Sequence, residues 1–140
     1  MSASTKLSTS VKALCYLEEV HPKPVSSSEI AGSIGINSSK LRRILSLLVK
    51  NGIVESNSGT KGGFKLKKLP AQIHLQEIYC AIEDRKAFHL DVRKDSIKKN
   101  SLPEKLNFYF LDLFAEVQVD IEDKMKKITL QSIINKINNN

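Results

Sequence analysis

The sequence predicts a mainly α-helical chain broken by one two-stranded β-hairpin, and three observations carry that prediction. Apolar residues recur at helical spacing in six separate stretches. Between residues 53 and 66, two short apolar runs flank a stretch rich in glycine, serine and asparagine. From Pro103 onward a single apolar stripe repeats, from Leu106 to Met125, as in one long helix.

The first helix covers Leu7 to Val20, with Leu7, Val11, Leu14, Cys15 and Leu17 on one side. His21-Pro22 ends it, because proline cannot continue a helix and disfavours helix in the preceding residue. Ser26-Ser27-Ser28-Glu29 reads as a capping box, in which Ser26 accepts from the Glu29 amide and Glu29 reaches back. A short second helix runs through Ile30 and Ala31 to about Ile34 and turns at Gly35. Asn37 or Ser38 caps a third helix. Its apolar positions Leu41, Ile44, Leu45, Leu48 and Val49 form a core-facing stripe. Ser39, Arg42, Arg43, Ser46 and Lys50 form the opposite stripe, polar and basic. Asn51-Gly52 closes the helix.

Ile53 to Ser56 and Phe64 to Leu66 read as the two strands, with Asn57 to Gly63 as a flexible basic tip. Leu75, Ile78, Tyr79 and Ile82 mark a fourth helix. Residues 85–101 are charged and weakly periodic, and read as a loop. Pro103 opens a long helix to about Lys127. Thr129 caps a last helix that turns Leu130, Ile133, Ile134 and Ile137 inward. The expected organisation is a DNA-binding unit over 1–83, a connection over 84–103, and a dimerisation helix with a C-terminal helix over 104–140.

Charge narrows the function. The formal net charge is +7. All of that excess lies in residues 1–70, because Lys and Arg balance Asp and Glu in residues 71–140. Between Lys40 and Lys68 the only acidic residue is Glu55. An excess this local points to a polyanionic partner. No apolar run is long enough to span a bilayer, and the first ten residues lack the apolar region of a secretory signal, so a cytoplasmic protein is expected. The two cysteines, Cys15 and Cys80, show no metal-ligand spacing, so no metal or cofactor is expected. His21, His74 and His89 are scattered, no nucleophile–base pairing is evident, and no phosphate loop sits between a strand and a helix, so an enzyme is not expected.

Three helices followed by a hairpin make a winged helix-turn-helix, and the partner expected for it is double-stranded DNA. Arg42 and Arg43 can bond guanine edges in bidentate fashion or clamp phosphates. Ser38, Ser39 and Lys40 stand at the N-terminus of the third helix, where amides and the helix dipole favour a phosphate, and Ser27 and Ser28 stand likewise on the second. Gly62 and Gly63 permit close approach of the hairpin to the minor groove, while Lys61 and Lys65 supply charge. The long helix presents Leu106, Tyr109, Phe110, Leu113, Phe114, Val117 and Ile121, more apolar surface than one small domain needs, so a homodimer is expected. Cys80, on the fourth helix between the two parts, is a candidate redox sensor.

The run Gly59-Thr60-Lys61-Gly62-Gly63-Phe64-Lys65-Leu66 resembles the wing of the Rrf-type family of winged helix-turn-helix regulators, which includes IscR, NsrR and CymR. The resemblance continues through Leu69 to Ile78, and upstream through Lys6-Leu7-Ser8 and Val25 to Ala31. It implies a dimeric DNA-binding regulator, usually a repressor, whose third helix reads the major groove and whose long helix pairs the subunits. Two departures stand out. Residues 84–104 contain no cysteine, where the iron–sulfur members carry three, so the chain resembles the cluster-lacking YwnA-like branch. Lys40-Leu41-Arg42 replaces the family's frequent Tyr-Leu-Glu, so an operator sequence does not carry over. The competing function is a winged-helix module that binds an acidic protein and no DNA. Salt-dependent binding to duplex DNA separates the two.

Overall fold

The structure, a computed structural model, describes residues 2–83 and 97–139. The predicted loop at 85–101 therefore lies largely outside the described residues, as does His89. In chain order the elements are α1 (Ala3–Val20), α2 (Ser27–Ile34), α3 (Ser38–Lys50), β1 (Val54–Asn57), β2 (Gly63–Leu66), α4 (Leu75–Ile82), α5 (Leu102–Lys126) and α6 (Leu130–Asn138). A single 3₁₀ turn at Pro70–Gln72 precedes α4. The chain divides into two compact units, Met1–Asp84 with Met125–Asn140, and Arg85–Lys124. The C-terminal helix, grouped with the long helix on sequence, thus belongs with the N-terminal elements.

The first unit is built on the apolar faces that the sequence periodicity marks. Leu14 and Leu17 of α1, Ile30 of α2, and Leu41, Leu45 and Leu48 of α3 are fully buried, together with Ile53, Ile73, Ile78 and Leu130. Burying a side chain of this size contributes about 1.5–3 kcal/mol relative to exposure, so α3 is held from its inner side by several such anchors. Its outer side then needs no packing partner. Local signals fix the ends. Ser26 Oγ accepts from the Glu29 amide at 3.1 Å. The reciprocal half of the expected capping box is replaced: the Glu29 carboxylate accepts a long bond from the Tyr16 hydroxyl of α1 at 3.4 Å. Gly35 adopts φ 73° and turns the chain from α2 towards α3.

The strands pair antiparallel, with Val54 opposite Leu66 and Glu55 opposite Lys65. The hairpin does not stand alone. Phe64 donates its amide to the Val25 carbonyl at 2.8 Å and accepts from the Val25 amide at 3.1 Å. The segment between α1 and α2 therefore acts as a third, one-residue strand beside β2.

At the other end of the unit, Leu75 donates to the Ile128 carbonyl and Leu130 to the Ile73 carbonyl, both at 2.7 Å. These bonds fasten the start of α6 to the start of α4. The fastening explains why Leu130 is fully buried and Ile133 and Ile134 half-buried. Ile137 departs from expectation: it is 56% exposed, because α6 leaves the core in its last turn.

In the second unit, α5 carries the predicted stripe. Leu113, Phe114, Val117 and Ile121 are half-buried, whereas Leu106, Phe108, Tyr109 and Phe110 are exposed. Phe110 stacks on Phe114 at a centroid separation of 5.6 Å and meets the edge of Tyr109 at 5.7 Å.

Candidate DNA-binding surface

The surface starts with how α3 begins. Asn37 is the cap, and its Oδ1 accepts from the amides of Ser39 at 2.9 Å and Lys40 at 3.3 Å. Two of the amides expected to hold a phosphate are therefore already satisfied, which leaves side chains to make that contact. Ser39, Lys40, Arg42 and Arg43 are exposed, and Ser38 is half-buried. The Arg42 guanidinium donates to Ser39 Oγ at 3.4 Å, a contact one turn back along the same face. Neither arginine lies under another element.

Arg42 also reaches the hairpin. With Ser46 and Val49 of α3, Ser56 of β1 and Phe64 of β2, it lines an open cleft of about 340 Å³. The basic side of α3 and the base of the wing are thus walls of one groove. Lys61 is exposed at the tip. Lys65 is held differently from expectation. Its ammonium pairs with the Glu55 carboxylate at 3.2 Å, directly across the ladder, so part of its charge is used internally. Lys68 pairs with Glu77 at 2.8 Å. Among the described residues no carboxylate lies within ion-pair distance of Lys40, Arg42, Arg43 or Lys61. Among the described residues, then, no carboxylate competes with an external anion for these four cations. On α2, Ser28 is exposed and Ser27 half-buried.

Gly62 and Gly63 have a structural duty as well. A Cβ at Gly62 would collide with the Asn57 carbonyl, and one at Gly63 would stand 2.7 Å from the Val25 carbonyl oxygen. Gly63 also adopts φ 141°. The close approach that the sequence suggests towards DNA is therefore first an approach of backbone to backbone, where β2 docks beside Val25. Replacing Gly63 with alanine is expected to cost about 1–3 kcal/mol, from the strained backbone and the lost docking. Thermal unfolding of Gly63→Ala measures it, and an unchanged midpoint would contradict this account.

A second cleft, of about 330 Å³, opens beside the N-terminus of α3. It is lined by Thr5, Thr9 and Lys12 of α1, the turn from Ile34 to Asn37, and Lys40. The α1 residues were not singled out on sequence. Their spacing along one helix face was the available signal.

The cysteines differ. Cys15 is half-buried against the core, and burial pushes its thiol pKa up, which disfavours the reactive thiolate. Cys80 is exposed, and its sulfur receives the Gln76 side-chain amide at 3.2 Å.

Comparison with known proteins places this arrangement. A family model described as Rrf2, iron-dependent transcriptional regulator, matches residues 3–136. YwnA of Bacillus subtilis, named as an HTH-type transcriptional regulator, is 32% identical over 110 residues, which are 79% of this chain and 81% of YwnA. Among solved structures, one described as a DNA-binding protein is 27% identical, with a TM-score of 0.75 over 92% of this chain and 98% of that one. IscR of T. potens is 25% identical, with a TM-score of 0.67 over 98% of this chain and 88% of IscR.

The donor set here does not fit the iron–sulfur cluster of the cysteine-bearing members. Such a cluster is held mainly by cysteine thiolates, and this chain has two cysteines, on α1 and α4. Among the described residues no three His, Cys, Asp or Glu side chains come together as a metal site. No helix among them is long and apolar enough to cross a membrane.

Proposed function

Because this chain belongs to the Rrf2 family of winged-helix transcriptional regulators, we propose that it works in the cytoplasm as a homodimeric repressor, with α3 in the major groove and the glycine wing at the minor groove. It is a regulator and not an enzyme. One observation carries the geometry of the proposal: Arg42 of α3 and Phe64 of the wing line the same cleft, beside cations that make no ion pair among the described residues. A helix fixed from its inner side and charged on its outer side can enter a groove without unfolding its own core. The exposed aromatic residues of α5 support pairing of two copies, which sets two reading helices on a two-fold site.

The testing experiment is an electrophoretic mobility shift with genomic fragments across a salt series. Specific fragments are expected to shift, with affinity falling steeply as salt rises. A chain that shifts no fragment at low salt would overturn the reading. Within it, Cys80 is the redox-responsive thiol, exposed and contacted by an amide donor. The same assay with and without hydroperoxide checks this, and an oxidant response that persists in Cys80→Ser removes the role.

A further inference from the structure

We propose that the cleft beside the start of α3 is a second DNA contact, in which Thr5, Thr9 and Lys12 of α1, together with Lys40, hold a backbone phosphodiester flanking the groove that α3 reads. The inference rests on the DNA-binding reading above and adds a helix which that reading does not use.

The chemistry of the cleft is one-sided. Thr5, Thr9 and Lys12 follow one another at four- and three-residue steps, so α1 presents them together. Among the described residues no acidic side chain lines the cleft. Lys12 and Lys40 are exposed and make no ion pair among the described residues. Thr9 is the informative member. It is only 7% exposed, it lines the cleft, and its hydroxyl has no hydrogen-bond partner among the described residues. The hydroxyl keeps its access to the cleft, so it can donate to an anionic oxygen held there. Asn37 contributes as well. Its Oδ1 is occupied by the α3 amides, which leaves its NH₂ group as a donor.

Two ammonium groups, hydroxyl donors and no carboxylate are the recognition chemistry of a phosphate. The backbone of DNA is favoured over a free anion by continuity. Lys40 belongs both to this cleft and to the exposed first turn of α3, so a strand passing the helix N-terminus meets both. Such a contact carries no sequence information and fixes the register of the reading helix.

The test titrates a mixed-sequence duplex with the full chain across a salt series, comparing wild type with Lys12→Gln, Thr9→Val and, as a control on α5, Lys105→Gln. Lys12→Gln is expected to flatten the slope of log affinity against log salt by about one unit per engaged protomer. Thr9→Val, close in shape, is expected to bind roughly tenfold more weakly. Lys105→Gln should match wild type. If Lys12→Gln keeps the wild-type slope and affinity, the contact does not exist. Thermal unfolding of the DNA-free protein with inorganic phosphate separates the sources. Phosphate stabilisation that depends on Lys12, alongside unchanged DNA slopes, would mark a free-anion site and overturn the proposal. Should Thr9→Val unfold early, the exposed Lys12 variant decides alone. A wild-type chain that binds no duplex at low salt removes the DNA-binding reading itself, a different failure from loss of this one contact.

Discussion

Replacing Arg42 and Arg43 with alanine is expected to remove specific DNA binding while leaving the fold intact. Both side chains are exposed and contribute nothing to the buried side of α3. A guanidinium that reads a guanine edge is worth about 1–3 kcal/mol of discrimination per base pair, which is roughly 5- to 150-fold for each arginine in each half-site. The two roles open to an arginine give different results. If Arg42 reads a base, Arg42→Ala relaxes preference at one operator position. If it clamps a phosphate, all sequences weaken alike and the salt slope shrinks by about one unit. Arg42→Lys refines the distinction, because lysine keeps the charge and loses the planar fork. Binding by the double variant equal to wild type, with unchanged thermal unfolding, would show that this face does not meet DNA.

The second large effect lies on α5. Changing Tyr109 and Phe110 to glutamate is expected to convert the proposed dimer to monomer, as read by sedimentation equilibrium. Tyr109 is 60% and Phe108 61% exposed, values that leave large apolar surfaces in water unless a partner covers them. Each such ring contributes about 1.5–3 kcal/mol when fully buried, so two charged replacements per chain remove several kcal/mol from a symmetric contact. The first unit should fold as before, because Tyr109 and Phe110 are not part of its apolar core. Loss of pairing should also weaken binding to a two-fold operator far more than binding to a half-site. A wild-type chain that sediments as a monomer at micromolar concentration, or a double glutamate variant that remains dimeric, would refute the assignment.

Much of this architecture was legible in the residues themselves. The α3 stripe from Leu41 to Val49 has one interpretation, because its apolar positions repeat at the helical period and Asn37 and Gly52 bracket it. Thr129 and Asn37 announce their helices through short-range bonds that spacing alone encodes. Long-range facts were hidden. The pairing of Phe64 with Val25 joins backbone to backbone and leaves no mark on side-chain pattern. Lys65 looked available because its basicity was visible, whereas its place opposite Glu55 depends on hairpin register. Ile137 continues an apolar stripe, but a periodic pattern cannot say where a terminal helix parts from the core. The place of Thr9 in the lining of the α1 cleft was hidden for the same reason, since it belongs to the assembled fold.

The docking of β2 beside Val25 has one more consequence. Its two bonds are made by main-chain atoms, so the aim of the hairpin does not depend on which side chains its tip displays. Gly62 and Gly63 are constrained there by steric contact with the backbone, and Gly59 by its φ of 104°. Ser58, Thr60 and Lys61 are consequently interchangeable parts on a fixed mount. If the wing meets DNA as proposed, exchanging them is expected to retune its preference without repositioning the scaffold that delivers them.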